Sequence, residues 1–298
     1  MVMKSLAVTS KARYQERVLR ILVSKIHGPV ENAHEEVSEQ LMSHLASLGS
    51  SELHAGREKA YVTFTCLPDN GKVDEDASSE PTVTLLERRY LISGSRITGF
   101  RTWEASLHLG SYLSTKAGEG LIKGKNILEL GAGTGFLSLL CAKHLHASHV
   151  TVTDGDESVV AALKENVVLN DLADKQVAAR VLQWGDDLEA TWVKQDCEDQ
   201  PYDVVIGADI TYDKVAIKAL VTTIHHLLNL RPRLRVLISG VVRNADTFES
   251  FRSECLHRKF SVEELAFQAK PVRQQKALFY AAAVPIKILS ISGPEQSE

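Results

Sequence analysis

"NILELGAGTGFLSL", residues 126–139, decides how this chain is read. An apolar run from Ile127 to Leu130 is interrupted only by Glu129. Three glycines follow at alternate positions, Gly131, Gly133 and Gly135. A short apolar run bounded by glycine predicts a buried strand, and the apolar residues from Phe136 onward predict a helix. Glycine gives up side-chain packing and permits positive φ, so three of them between a strand and a helix bring backbone close to something. In an open α/β sheet that place, beyond the carboxyl end of a strand, is where ligands bind.

The same alternation continues downstream. "HVTVTD" (149–154), "VAARVLQW" (177–184), "YDVVIGAD" (202–209) and "LRVLISG" (234–240) read as strands. "ESVVAALKENVVLN" (157–170), "KVAIKALVTTIHHLLNL" (214–230) and "TFESFRSECLHRKF" (247–260) read as helices. Strands nearly continuous in apolar residues, separated by helices, predict a doubly wound, mostly parallel α/β sheet covered on both faces. The tail adds strands near "SVEELAF" (261–267) and within "ALFYAAAVPIKILSI" (277–291), which can pair antiparallel. Upstream, residues 11–27 and 35–48 carry helical spacing, and "AYVTFTC" (60–66) and "TVTLLERRYLIS" (82–93) read as strands around a polar, acidic loop at 68–81. The organisation expected is an N-terminal appendage over 1–94 and an α/β domain over 95–298.

Composition sets the outer limits. The 298 residues, 44% hydrophobic and 24% charged, are long enough to bury a core without staples. A net charge of −4 with no basic stripe argues against a general nucleic-acid binder. Cys66, Cys141, Cys197 and Cys255 lie far apart, which fits a reducing compartment better than a disulfide framework or zinc site. None of the eleven histidines falls in a metal-binding spacing, so no metal is expected. No apolar stretch reaches the length of a membrane span. The basic, acid-poor first 26 residues read either as an amphipathic helix or as a mitochondrial presequence.

Two details separate the glycine loop from a dinucleotide site. The dinucleotide fingerprint is G-x-G-x-x-G, and its third glycine is here Phe136. Glu129 precedes the first glycine, a poor neighbour for a pyrophosphate but a suitable one for a cationic ligand. Asp154 ends the second strand of the alternation, where a carboxylate accepts from both ribose hydroxyls. A cationic nucleoside with a free ribose and no phosphate is S-adenosylmethionine. The plainer alternatives are a tight turn for the glycines and a helix cap for Asp154. An NAD-dependent oxidoreductase is the rival that Phe136 and Glu129 disfavour.

"LELGAGTG" followed by "VTD" resembles the seven-strand class I methyltransferases, over roughly residues 95–290. "TGFRTWEASLHLGSYL" before the first strand, "QWGD" (183–186) and "GADITYD" (207–213) narrow this to a resemblance to the protein-lysine methyltransferases of the D-x-x-Y group. "VVRNADTFESF", the "ITGFRTWEASLHL" lead and the long appendage are similar to the elongation factor 2 lysine methyltransferases. The resemblance implies a seven-stranded Rossmann-like sheet, S-adenosyl-L-methionine as cofactor, a lysine of translation elongation factor 2 as acceptor, a cytoplasmic location and a monomer. The acidic loop at 68–81 departs from that pattern. A methyltransferase acting on another protein or on a small-molecule amine is the alternative.

The resemblance also assigns residues. Trp103 would touch the cofactor or else anchor the lead helix. Trp184 would face the adenine or else pack at the sheet end. Gly131, Ala132 and Gly133 would line the methionine part, with Glu129 near its ammonium, and Ala208 would leave space beside it. Asp209 and Tyr212 are the expected catalytic pair: Asp209 orients the lysine amine and Tyr212 lines its channel. The plain alternative has Asp209 capping the next helix and Tyr212 packing on it. Asn166 and Asn170, spaced i, i+4, are read as helix-end polar residues without chemistry.

Overall fold

A computed structural model describes residues 59–67, 81–88, 98–172, 176–185 and 187–294. The helices expected at 11–27 and 35–48, the basic N-terminus and the acidic loop up to residue 80 lie outside the described residues. Two compact units divide the chain: Met1–Ala60 with Arg88–Ile92, and Tyr61–Glu87 with Ser93–Glu298. Two strands, β1 (Lys59–Thr65) and β2 (Thr82–Arg88), pair in a small sheet. All but their outer ends group with the larger unit, whereas the sequence reading attached them to the appendage.

The larger unit opens with α1 (Glu104–Leu113) and α2 (Lys116–Ile122). Then come β3 (Asn126–Leu130), α3 (Phe136–Lys143), β4 (His149–Asp154), α4 (Glu157–Leu169) and β5 (Val177–Val181). The second half is α5 (Trp192–Asp199), β6 (Val204–Ala208), α6 (Lys214–Leu230), β7 (Arg235–Val241), α7 (Ala245–His257), β8 (Ser261–Glu264) and β9 (Ile286–Ser292). The seven strands lie in the order β5-β4-β3-β6-β7-β9-β8. The first five are parallel, and β9 runs antiparallel to both β7 and β8. This is a doubly wound, Rossmann-like α/β sheet. Only the second half of "ALFYAAAVPIKILSI" becomes strand.

Alternate strand residues feed two cores. Ile127, Ile206, Leu237 and Ile288 pack with α1 and α3 on one face, among them Leu109, Leu113, Phe136 and Leu140. Leu128, Val205, Val236 and Leu289 pack on the other with Ile217, Leu220 and Ile224 of α6 and Phe251 of α7. Side chains at i and i+1 of a strand point to opposite faces, so an apolar residue at every position is what a sheet covered twice demands. The four cysteines are free and buried, and burial pushes the Cys66 and Cys255 thiols up to about 12. Among the described residues no helix is long and apolar enough to cross a membrane.

Strand order reverses at β3. From there the chain proceeds outward to β4 and β5 on one side, and to β6 and β7 on the other. The loops after β3 and β6 therefore diverge and leave a crevice between them at the carboxyl edge of the sheet.

Candidate active site

That crevice is a cleft of about 360 Å³. Gly131, Ala132 and Gly133 form one wall, Asp154 and Trp184 stand along the side, Ala208, Asp209 and Tyr212 stand at one end, and Thr98, Gly99 and Arg101 to Trp103 complete the lining. Nine of the ten candidate residues therefore meet in one place. Glu129 is the tenth, and it is not in the wall.

The glycines are fixed by space as well as by φ. Gly131, Gly133 and Gly135 have φ of 63°, 56° and 84°, in the region where a Cβ is strained. A Cβ on Gly131 would lie 2.6 Å from Ile210 Cγ2 and 3.1 Å from Trp184 Cζ2. One on Gly133 would lie 2.9 Å from the Gly99 carbonyl. The loop is pressed between the lead segment and the residues after β5 and β6.

Glu129 sits behind this loop, 1% exposed. It points to the face that α3 covers. Its Oε2 accepts from the Ser138 backbone N–H at 2.9 Å and from the Ser138 hydroxyl. Ser138 is the third residue of α3, whose N-cap, Gly135, has no side chain to offer. The first N–H groups of a helix need acceptors, and Glu129 supplies one from the preceding strand. Burial pushes its carboxyl up to about 8, against the opposing effect of the Ser138 donors.

Asp154 ends β4. One oxygen accepts from Gly133 N–H at 3.0 Å and the other from Asp156 N–H at 3.2 Å. Each carboxylate oxygen has a further lone pair, available to a diol in the cleft. Burial moves its pKa upward. The helix-cap alternative does not describe it: Asp156 caps α4, accepting from Ser158 and Val159 N–H.

Asp209 repeats this arrangement after β6. The next helix, α6, is capped by Asp213, which accepts from Val215 and Ala216 N–H at 2.7 and 2.9 Å. Asp209 instead takes φ of 56°, and its N–H donates to Ser239 O at 2.8 Å. Its carboxylate accepts from Val241 N–H at 3.2 Å and from Arg243, Nη1 to Oδ1 at 3.1 Å and Nη2 to Oδ2 at 2.8 Å. A non-glycine residue in that backbone region persists where its surroundings over-determine it, as these contacts from β7 and beyond do. Tyr212 is 63% exposed, so most of its ring is open to solvent at the rim.

Trp103 donates from Nε1 to Thr98 O at 3.2 Å and lies under two guanidiniums, Arg101 at 4.8 Å and Arg243 at 5.6 Å from its ring centre. Trp184 lines the cleft with Nε1 buried and without a hydrogen-bond partner. A buried donor left over in a cleft calls for an acceptor. The lone pairs of Asp154, the spare donor of Trp184 and the backbone laid bare by Gly131 and Gly133 fit an uncharged purine and a ribose. Among the described residues, no phosphate-sized set of cations lines the same walls.

Sequence reasoning missed Arg243, Thr102 and Thr134. The Thr102 hydroxyl lies 2.7 Å from that of Thr134 and donates to the buried Glu87 of β2, bracing the glycine loop from behind. Arg243 stood in the quoted "VVRNADTFESF" with no sign that it would reach back to Asp209. Asn166 and Asn170 are also more than helix-end residues. Their amides pair with the backbone of Leu86 and Thr84 in β2, and Asn166 also donates to Thr134 O.

Comparison with known proteins identifies the family. The family model described as lysine methyltransferase matches residues 92–253. The chain is 41% identical to protein-lysine N-methyltransferase EFM3 of Chaetomium thermophilum, over 94% of this chain and 83% of that one. It is 33% identical to EFM3 of Saccharomyces cerevisiae, over 74% and 67% of the two chains. It is 27% identical to human protein-lysine N-methyltransferase EEF2KMT, over 92% and 78%. With its glycine loop, its paired aspartates and this match across more than half its length, the chain belongs to the lysine methyltransferase family.

Proposed function

We propose that this chain transfers a methyl group from S-adenosyl-L-methionine to a lysine of translation elongation factor 2, in the cytoplasm. The observation that supports the reading is that Asp209 and Tyr212 line the same cleft as Gly131, Gly133 and Asp154. The likeness to human EEF2KMT over 92% of this chain supports the choice of protein.

The cofactor, when bound, supplies a methyl carbon made electrophilic by a sulfonium. Asp154 would hold the ribose by its free lone pairs, Trp184 and Trp103 would bound the nucleoside, and Ala208 leaves room beside it. Asp209 would accept a hydrogen bond from the incoming amine and fix the direction of its lone pair. Tyr212, being exposed, meets the lysine stem first and keeps water from its flank. A free lysine amine has a pKa of about 10.4 and reacts only when neutral. Alignment and desolvation therefore carry the rate, by restricting the amine to one approach.

The test uses purified, unmethylated elongation factor 2 with radiolabelled cofactor. Label should enter elongation factor 2 with the wild-type chain. It should fall on the order of a hundredfold or more with Asp209→Asn, in the range of one oriented polar contact in a reaction site, while S-adenosylhomocysteine still binds. Label in a different protein, or only in small molecules, overturns the substrate. Full activity of Asp209→Asn overturns the catalytic role.

A further inference from the structure

Arg243 is the cation paired to Asp209 beside the cleft, and the mechanism above gives it no task. It leaves β7 by a tight turn, its N–H donating to Val241 O at 2.9 Å. Its guanidinium grips both oxygens of Asp209, at 3.1 and 2.8 Å. The same Nη2 lies 3.8 Å from Glu104 Oε2, and the other Glu104 oxygen lies 3.3 Å from Arg101. The fork of an arginine matches a carboxylate in a way a point charge cannot.

The chemistry sets a problem that this arrangement answers. The ε-ammonium must release its proton to solvent before its nitrogen can attack. A bare carboxylate beside it works against that, because an opposite charge within a few ångströms favours the protonated form. A carboxylate already paired to a guanidinium keeps acceptor lone pairs but little net charge. Around Asp209, among the described residues, stand Arg243 from the segment after β7 and Glu104 and Arg101 from α1 and its lead. From the connection before α6 come Tyr212 and the cap Asp213. Arg101 and Arg243 balance Glu104 and Asp209, and Asp213 is engaged with two N–H groups of α6.

We propose that Arg243 is a positioning residue that fixes Asp209 and cancels its charge, so that the target lysine meets an acceptor without being held as an ammonium. This rests on the reading of Asp209 as the group that meets the amine. Losing the guanidinium charge leaves a net negative site, raises the pKa of the bound lysine and displaces activity to higher pH. The sign follows from the lysine, since only its neutral fraction reacts.

The test compares full-length wild type, Arg243→Gln and Arg243→Lys, with Asp209→Asn as reference. The acceptor is elongation factor 2 at saturation, or the labelled protein isolated from extract should that be different. Arg243→Gln keeps a donor and loses the charge. Its ascending kcat limb should move up by about one pH unit, a roughly tenfold loss near neutrality that is recovered in alkali. Arg243→Lys should hold the limb near that of wild type. S-adenosylhomocysteine affinity should be retained in both. A loss by the same factor at every pH, or an unmoved limb, overturns the proposal, as does Arg243→Lys shifted as far as Arg243→Gln. Should Arg243→Gln fail to fold, Arg243→Met faces the same criterion. If Asp209→Asn is fully active, the reading of Asp209 itself has failed. If Asp209→Asn is inactive and the Arg243→Gln limb stays put, only the role of Arg243 has.

Discussion

A buried carboxyl that keeps its proton is an uncharged cap, and Glu129 is placed to be one. Its ordinary value of 4.5 is pushed to about 8 by burial. Between those values the folded chain holds a proton that the unfolded chain has released. The stabilisation is therefore complete below pH 4.5 and is lost as pH rises through about 8. Glu129→Gln keeps the acceptor for Ser138 and removes the titration. Thermal unfolding from pH 5 to pH 8.5 should then show wild type losing more stability than Glu129→Gln, and parallel curves contradict this assignment. Gly131 and Asp209 show the same economy of single positions. The first is glycine because Ile210 and Trp184 occupy the space of a Cβ, and the second is an aspartate in a backbone region that favours glycine.

The two aspartate pairs illustrate what elements do for a site. After β4 and again after β6, a helix begins with its own cap, Asp156 and Asp213. That leaves Asp154 and Asp209 free of the helix and turned into the cleft. The sequence could place Asp154 and Asp209 at strand ends, but it left open whether each capped the next helix or faced a ligand. Central strands such as β3 and β6 were legible because they are apolar at nearly every position, as a doubly covered sheet requires. α5 was not legible: "WVKQDCED" is mostly polar and buries only Val193, Asp196 and Cys197. α2, with glycine at 118 and 120, carries too weak an apolar pattern. The long-range pairing of Asn166 and Asn170 with β2 has no local signal at all, because their partners lie about 80 residues away. Asn166→Ala removes an acceptor from Leu86 N–H and a donor from Thr134 O. It should cost about 1–3 kcal/mol, the range for groups left unsatisfied, with S-adenosylhomocysteine affinity also reduced through the glycine loop. Denaturant unfolding and calorimetry check both, and a stability unchanged from wild type contradicts the pairing.

Across the entire chain, topology does what no single residue can. The reversal of strand order at β3 places the loops after β3 and β6 on either side of one crevice, and β4 and β5 deliver Asp154 and Trp184 to its flank. A ligand bound only by the folded form stabilises it, by about 2.7 kcal/mol at a hundred times its Kd, so the cleft can be interrogated without any acceptor protein. Titration of S-adenosylhomocysteine into wild type and Asp154→Asn by calorimetry asks whether this crevice holds the nucleoside. Wild type should bind at a single site and ignore NAD, and Asp154→Asn should bind about ten to a hundred times more weakly, the loss of one or two charge-assisted hydrogen bonds. Undiminished binding by Asp154→Asn, or no binding by wild type, would contradict the placement of the cofactor and everything built on it.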